Sequence, residues 1–268
     1  MLHLLRIEWM KLKNYRTFWI LSILYIVSVF GANYIIYRIQ QSIYEAKIKG
    51  TKGMAEMLLG GRPYSFPDTW QTTANVSSFV LFIPGLIMII CLTNEYSYKT
   101  HRQNIIDGIT RNQFIFAKIG LAFLIALLST LVVFVTAFLF GVTDGHSSFD
   151  TEKIHYIALY LLQSFSYVMM AVLMGVFLKR GGLSIGIYFL YSVVLENALA
   201  FYLNRHFDYA GRYLPLETTD VLIPFPNIQE VTKRFVPEPN YSAVFVAALI
   251  YLVLYIFISI KKFETSDL

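Results

Sequence analysis

The sequence predicts an all-α polytopic membrane protein with six transmembrane helices, an N-terminal amphipathic interfacial helix, and room for a short re-entrant element in the outer loop between spans five and six. Three observations predict it. Hydrophobic residues make up 56% of the chain and charged residues 15%, where soluble domains run near 45–50% apolar and about 25% charged. Mean hydropathy is +0.56. Six long apolar runs approach or exceed the roughly 20 residues that a helix needs to cross a bilayer. With 268 residues, the spans and their connections use up the chain and leave no second domain of ordinary size.

In chain order, residues 1–17 come first. Met1, Leu2, Leu5, Trp9 and Leu12 recur at helical spacing on one side, while Arg6, Lys13 and Arg16 fall largely elsewhere. Such a basic amphipathic helix suits the cytoplasmic headgroup layer; the alternative is a plain extension of the first span with orienting charges. The run 18–37 is longer than a signal-peptide core and lacks a small-x-small cleavage site, so it reads as a retained first span. The second run, 74–93, contains Pro84-Gly85, and a proline there removes a backbone bond and kinks the helix. Runs 116–141, 154–178, 183–203 and 242–260 complete the six, all within one transmembrane domain spanning 18–260.

Orientation follows from the basic residues. Lys179-Arg180 and Lys261-Lys262 stand directly at span ends, where the positive-inside rule acts most strongly. Both termini, the connections 94–118 and 179–183, and the tail 261–268 are therefore placed in the cytoplasm, with the chain in the plasma (inner) membrane. The net charge of +5 is explained by this bias and asks for no nucleic acid. Outside lie 38–73, the short acidic 142–153, and 204–241. This last loop carries Val221-Leu222-Ile223-Pro224-Phe225, too short to span, which either dips into the outer leaflet or packs on the bundle.

Little in the sequence favours bond-making chemistry. Cys91, the one cysteine, lies in an apolar run and excludes an intramolecular disulfide or a cysteine zinc site. His3, His101, His146, His155 and His206 lack metal-ligand spacing. Gly182-Leu183-Ser184-Ile185-Gly186 is a literal G-x-S-x-G, but a nucleophile elbow needs a strand-turn-helix setting with a partner histidine and acid. The same glycines read better as small residues that let helices approach. Glu196, with Asn197 beside it, is an acid within the fifth span. A charge at mid-membrane costs about 2.5–3.5 kcal/mol or more, so such a residue faces the bundle interior or lies close enough to the outer interface to reach water.

The connection 94–118 is the most informative segment. It is polar, carries one apolar pair, Ile105-Ile106, breaks at Gly108, and offers Thr110 as the cap of a helix beginning at Arg111. From the residues it is either a docking surface for a soluble partner or a solvated loop that fixes topology. The order Glu95, Lys99-Thr100, Arg102, Ile105-Ile106, Gly108, Thr110-Arg111 and Lys118 resembles the membrane subunits of ABC exporters of the type-2 permease class. Gly108 stands where many members have proline, a minor departure. The resemblance implies that 94–114 is a coupling helix resting on a separate ATPase subunit, that ATP and Mg belong to that partner, and that two permease copies assemble. No cofactor is expected on this chain, since no G-x-x-x-x-G-K-[ST] phosphate loop occurs in it. A secondary carrier or channel is the competing reading, for which Glu196 is thin support. Spans rich in Phe, Leu and Ile argue against a wide hydrophilic pore and favour lipid-like, peptide or drug-like cargo.

Overall fold

A computed structural model describes residues 2–46, 62–100, 103, 106, 108, 110–145, 147–226 and 237–265, with side chains omitted at 2–5 and 43–46. Arg102 and Ile105 fall outside the described residues, as does the Leu5 side chain.

The apolar runs are helices. The order is α1 (Leu2–Lys13), α2 (Arg16–Ala46), α3 (Asp68–Ser78), α4 (Phe82–Ser97), α5 (Arg111–Asp144), α6 (His155–Leu178), α7 (Gly181–Phe189), α8 (Glu196–His206), α9 (Glu217–Val221) and α10 (Tyr241–Glu264). A π-helical stretch, Leu190–Leu195, joins α7 to α8 without a break in direction, and a 3-10 turn, Ala210–Tyr213, precedes α9. Among the described residues five helices are long and apolar enough to cross a membrane, and six spans result when the bent pair α3–α4 counts as one. Among the described residues there is no strand.

The second span differs from its expected form. It is bent by 50° between α3 and α4, at residues 79–81. Pro84 lies just beyond the bend, in the first turn of α4, where its missing N–H has no intrahelical acceptor to lose. The proline therefore starts a new helix rather than kinking a continuous one. Next to it, a Cβ on Gly85 would come within 2.1 Å of the Tyr188 hydroxyl, so the glycine is what lets α7 lie against α4.

Helix α3 is polar yet buried: Thr69, Gln71, Thr72, Thr73 and Ser77 are all shielded from solvent. Buried polar groups must be hydrogen-bonded, and several here find backbone carbonyls. The Thr69 hydroxyl donates to Ala137 O (3.0 Å), the Thr72 hydroxyl to Pro63 O (2.6 Å), and the Trp70 indole to Asp150 O (2.8 Å).

Helix α6 is central, packed against α3, α4, α5, α7 and α10. Its Tyr160 hydroxyl meets that of Tyr25 on α2 at 2.8 Å. By contrast Ile20, Val27, Leu131 and Val253 are among many large apolar side chains that face outward on α2, α5 and α10, a surface suited to lipid rather than water. At one end of the bundle, here the near end, α1 meets the end of α4 and the start of α5, and Phe114 stacks on Phe263 of α10 at 4.9 Å. Helices α9 and the C-terminal part of α8 lie at the opposite, far end.

The glycines of the G-x-S-x-G stretch do not act as expected. A Cβ on Gly182 or Gly186 would meet nothing within 4 Å, so they bring no helices together within this chain. That role falls to Gly85 against Tyr188 and to Gly175 against Leu92, while Gly141 admits Phe66 of the turn before α3.

Candidate functional site

At the near end three helices place charges on one point. On α1, Glu8 and Leu12 are one turn apart and both buried, so this face turns into the bundle while Trp9 stays 40% exposed. On α5 the buried stripe runs Phe114, Ile115, Lys118, Leu121, Ala122, the helical spacing of a core face. Lys118 therefore points inward and is fully buried, at 0% exposure. Glu95, in the last turn of α4, completes the set.

The Lys118 ammonium donates to the Glu8 carboxylate and lies 2.8 Å from Glu95 Oε1. Lys11, at the rim, donates to Glu95 Oε1 at 2.8 Å and to Glu8 Oε1 at 3.2 Å. Two carboxylates thus face two ammonium groups, and the cluster is electrically balanced. Its Lys118 end also sits 5.0 Å from the Phe114 ring centroid. Buried ions repay their desolvation only when geometry and pairing are good, and stripping one partner costs far more than the pair gains. The cluster therefore fixes α1, α4 and α5 relative to one another.

The expected docking segment starts and ends at this cluster. Beyond Glu95 the Thr100 hydroxyl donates to Glu95 O at 3.5 Å, and Lys99 adopts φ +57°. Ile106 is 77% exposed and Gly108 takes φ +96°, a conformation suited to glycine. Thr110 then opens α5 with a reciprocal capping box: its hydroxyl accepts from Gln113 N at 3.2 Å and its N–H donates to Gln113 Oε1 at 3.0 Å. Arg111 donates to Glu264 O at 2.5 Å, tying this start to the last turn of α10. The whole of 94–118 is not a loop, since α4 continues through Ser97 and α5 begins at Arg111.

A second polar region lies at the far end. A cleft of about 420 Å³ opens between α3, α6, the π-helical stretch and α9, with Asn75, Gln163, Tyr167, Asn197, Glu217 and Asp220 on its walls. Glu196 is buried and serves the fold: its Oε1 accepts from the backbone N–H groups of Leu216 (2.5 Å) and Glu217 (3.1 Å). Asn197 donates to Ser192 O and Val193 O at 3.3 and 3.2 Å. Burial pushes the Asp220 carboxyl up to about 6, and burial together with the nearby Asp220 and Glu196 pushes Glu217 up to about 7.

Ser184 is buried in the first turn of helix α7, without the strand-turn setting of a nucleophile elbow. Among the described residues no group of three or more His, Cys, Asp or Glu could hold a metal ion.

Sequence reading singled out Glu95, the Lys118 position, Glu196 and Asn197, but missed Glu8, Gln163, Tyr167 and Asp220. Glu8 left one signal: an acid amid basic residues, one turn before Leu12 on the apolar face.

These features define a polytopic all-helical membrane protein whose near-end segment is braced by buried ions. A family model described as ABC-2 family transporter protein matches residues 4–195, and the chain belongs to that family. The match runs from α1 to the end of the π-helical stretch and so includes every member of the ion cluster. No curated protein matches the chain.

Proposed function

We propose that this permease is the membrane subunit of an ATP-driven exporter, powered by a separate ATPase that binds ATP and Mg and docks on residues 94–114. The observation that carries the reading is the four-ion cluster. It joins the start of the docking segment to α1 and α5 through Glu95 and Lys118, so a push on the segment is transmitted to three helices as one body. The docking residues are Lys99, Thr100, Arg102, Ile105, Ile106, Gly108, Thr110 and Arg111, with Glu95 buried at the root of the segment where it anchors them to the cluster; Ile106 is a large apolar side chain turned to solvent.

The near end is then cytoplasmic. Lys179 lies against Tyr96 and Lys262 against Phe177 at this end, which agrees with the positive-inside rule. Helix α1 rests in the inner headgroup layer of the plasma membrane with Leu5 and Trp9, while Leu12, expected on the same side, turns into the bundle; the Trp9 and Phe18 rings meet edge to face at 6.0 Å. A second permease copy completes the assembly, and the apolar spans suit lipid-like, peptide or drug-like cargo.

The test is biochemical. The chain retains an ATPase through purification, and Ile106→Asp or Arg111→Glu loses that ATPase and lowers transport at least about tenfold. If both variants assemble and transport as the parent does, the docking assignment is wrong.

A further inference from the structure

The far-end loop after α8 is fastened in an unusual way. Side chains from four separate helices reach to it, and most grip its backbone. From α3, Gln71 donates to Pro224 O at 2.8 Å and Asn75 to Ile223 O at 2.6 Å. From α8, Glu196 accepts from Leu216 N and Glu217 N, and from α10 the Tyr251 hydroxyl donates to Tyr213 O at 2.9 Å. From α6, Gln163 donates to Asp220 Oδ1 at 2.8 Å and the Tyr167 hydroxyl to Asp220 Oδ2 at 2.9 Å. Gln163 in turn accepts from Ser78 at 2.9 Å, so α3, α6 and α9 are linked in one chain of bonds. Beneath the loop lies the cleft of about 420 Å³.

We propose that residues 207–226 form an outer gate over this cleft and that Asp220 is its latch, closing α9 onto Gln163 and Tyr167 of α6. The gate rests on the transport reading above. Bonds of this kind exchange with water at small net cost, so a strap held by them closes and still releases.

The latch also carries a pH dependence whose sign is opposite to that of an ordinary salt bridge. Asp220 and Glu217 are pushed up to about 6 and about 7 in the closed form, whereas a solvated carboxyl titrates near about 4. The closed form therefore holds protons more tightly than the open one. Closure is favoured at low pH, and its advantage falls as pH rises from about 4 through 6 to 7, where the closed carboxylates ionise. The groups around Asp220 do not offset this. Tyr167 faces it from α6, Glu196 from α8 and Glu217 from its own helix; Tyr191 and, from α10, Tyr255 lie against Glu196; α3 lines the cleft with Asn75 and Ser78 while its Asp68 is paired with Lys153; and no lysine or arginine is among the described residues lining the cleft.

The experiment uses the full chain, with whatever subunits copurify, in lipid nanodiscs and a Cys91→Ala background. Ser192→Cys, buried on the cleft wall, reports opening through its rate of maleimide labelling, and the exposed Ser148→Cys corrects for thiol reactivity at each pH. Asp220→Ala is expected to speed the corrected rate about tenfold at pH 7.5. Tyr167→Phe, which removes only a hydroxyl, speeds it about threefold and serves where the alanine variant does not fold. The parent labels several-fold faster at pH 7.5 than at pH 5.5, and Asp220→Asn, which keeps an acceptor without the charge, stays slow and has a weaker pH response. Unchanged rates in Asp220→Ala and Tyr167→Phe, or parental labelling that is faster at the lower pH, overturn the latch. Labelling needs neither ATP nor the ATPase, so a chain that retains no ATPase yet shows these rates loses the transport reading and keeps the latch.

Discussion

Lys118 shows what a single buried charge does here. It is fully buried between Glu8, 110 residues away in sequence, and Glu95. Lys118→Met is expected to destabilise the fold by about 3–5 kcal/mol, because two buried carboxylates then share Lys11. Adding Glu8→Gln to that variant recovers part of the loss, and a thermal-unfolding double-mutant cycle reads the coupling. Additive losses would mean that Glu8 and Lys118 are not paired. Sequence reading could see Glu95 and Lys118 as motif positions, but not that Glu8 joins them. Pairing across that distance is decided by how α1 folds back under α5, which no local pattern carries. The same holds for Asp220, an ordinary loop acid in the sequence that becomes a buried acceptor only because Gln163 and Tyr167 lie opposite it.

Among the elements, the long spans were legible because length and apolarity suffice to define them, and α5, α6 and α10 lie close to their predicted ranges. Helix α3 was not. Its sequence, DTWQTTANVSS, is polar, and a hydropathy reading started the second span at 74 because it cannot see the backbone carbonyls that satisfy Thr69, Thr72, Gln71 and Asn75. The expected kink at Pro84 is not found: the bend lies at 79–81, and Pro84 sits in the first turn of α4 rather than bending a continuous helix. The patch 221–225 packs on the bundle, with Leu222 and Ile223 buried and Ile223 and Pro224 offering their carbonyls to α3. Two predictions belong at this scale. Gly85→Ala forces its Cβ into Tyr188 and is expected to cost about 1–3 kcal/mol, with partial recovery in Gly85→Ala/Tyr188→Leu; equal melting temperatures for parent and single variant would refute the close approach. Thr110→Ala removes one half of the capping box and lowers stability by about 1 kcal/mol, visible as faster amide exchange in the first turn of α5.

For the whole molecule, the family was legible in about 25 residues of the near-end connection, and membership now rests on a match over 4–195. What the motif did not convey is the mechanical setting: the connection begins at a neutral cluster of buried ions and returns through a capped helix tied to the end of α10. The transport account stands on that setting. Its most direct test is to purify the full chain from its native membrane and measure how much phosphate-loop ATPase it retains, in the parent and in Ile106→Asp. The account predicts a fixed stoichiometric ATPase with the parent and its loss in the variant while the permease stays folded. A parent chain that carries no ATPase and moves cargo in proteoliposomes on an ion gradient would contradict it.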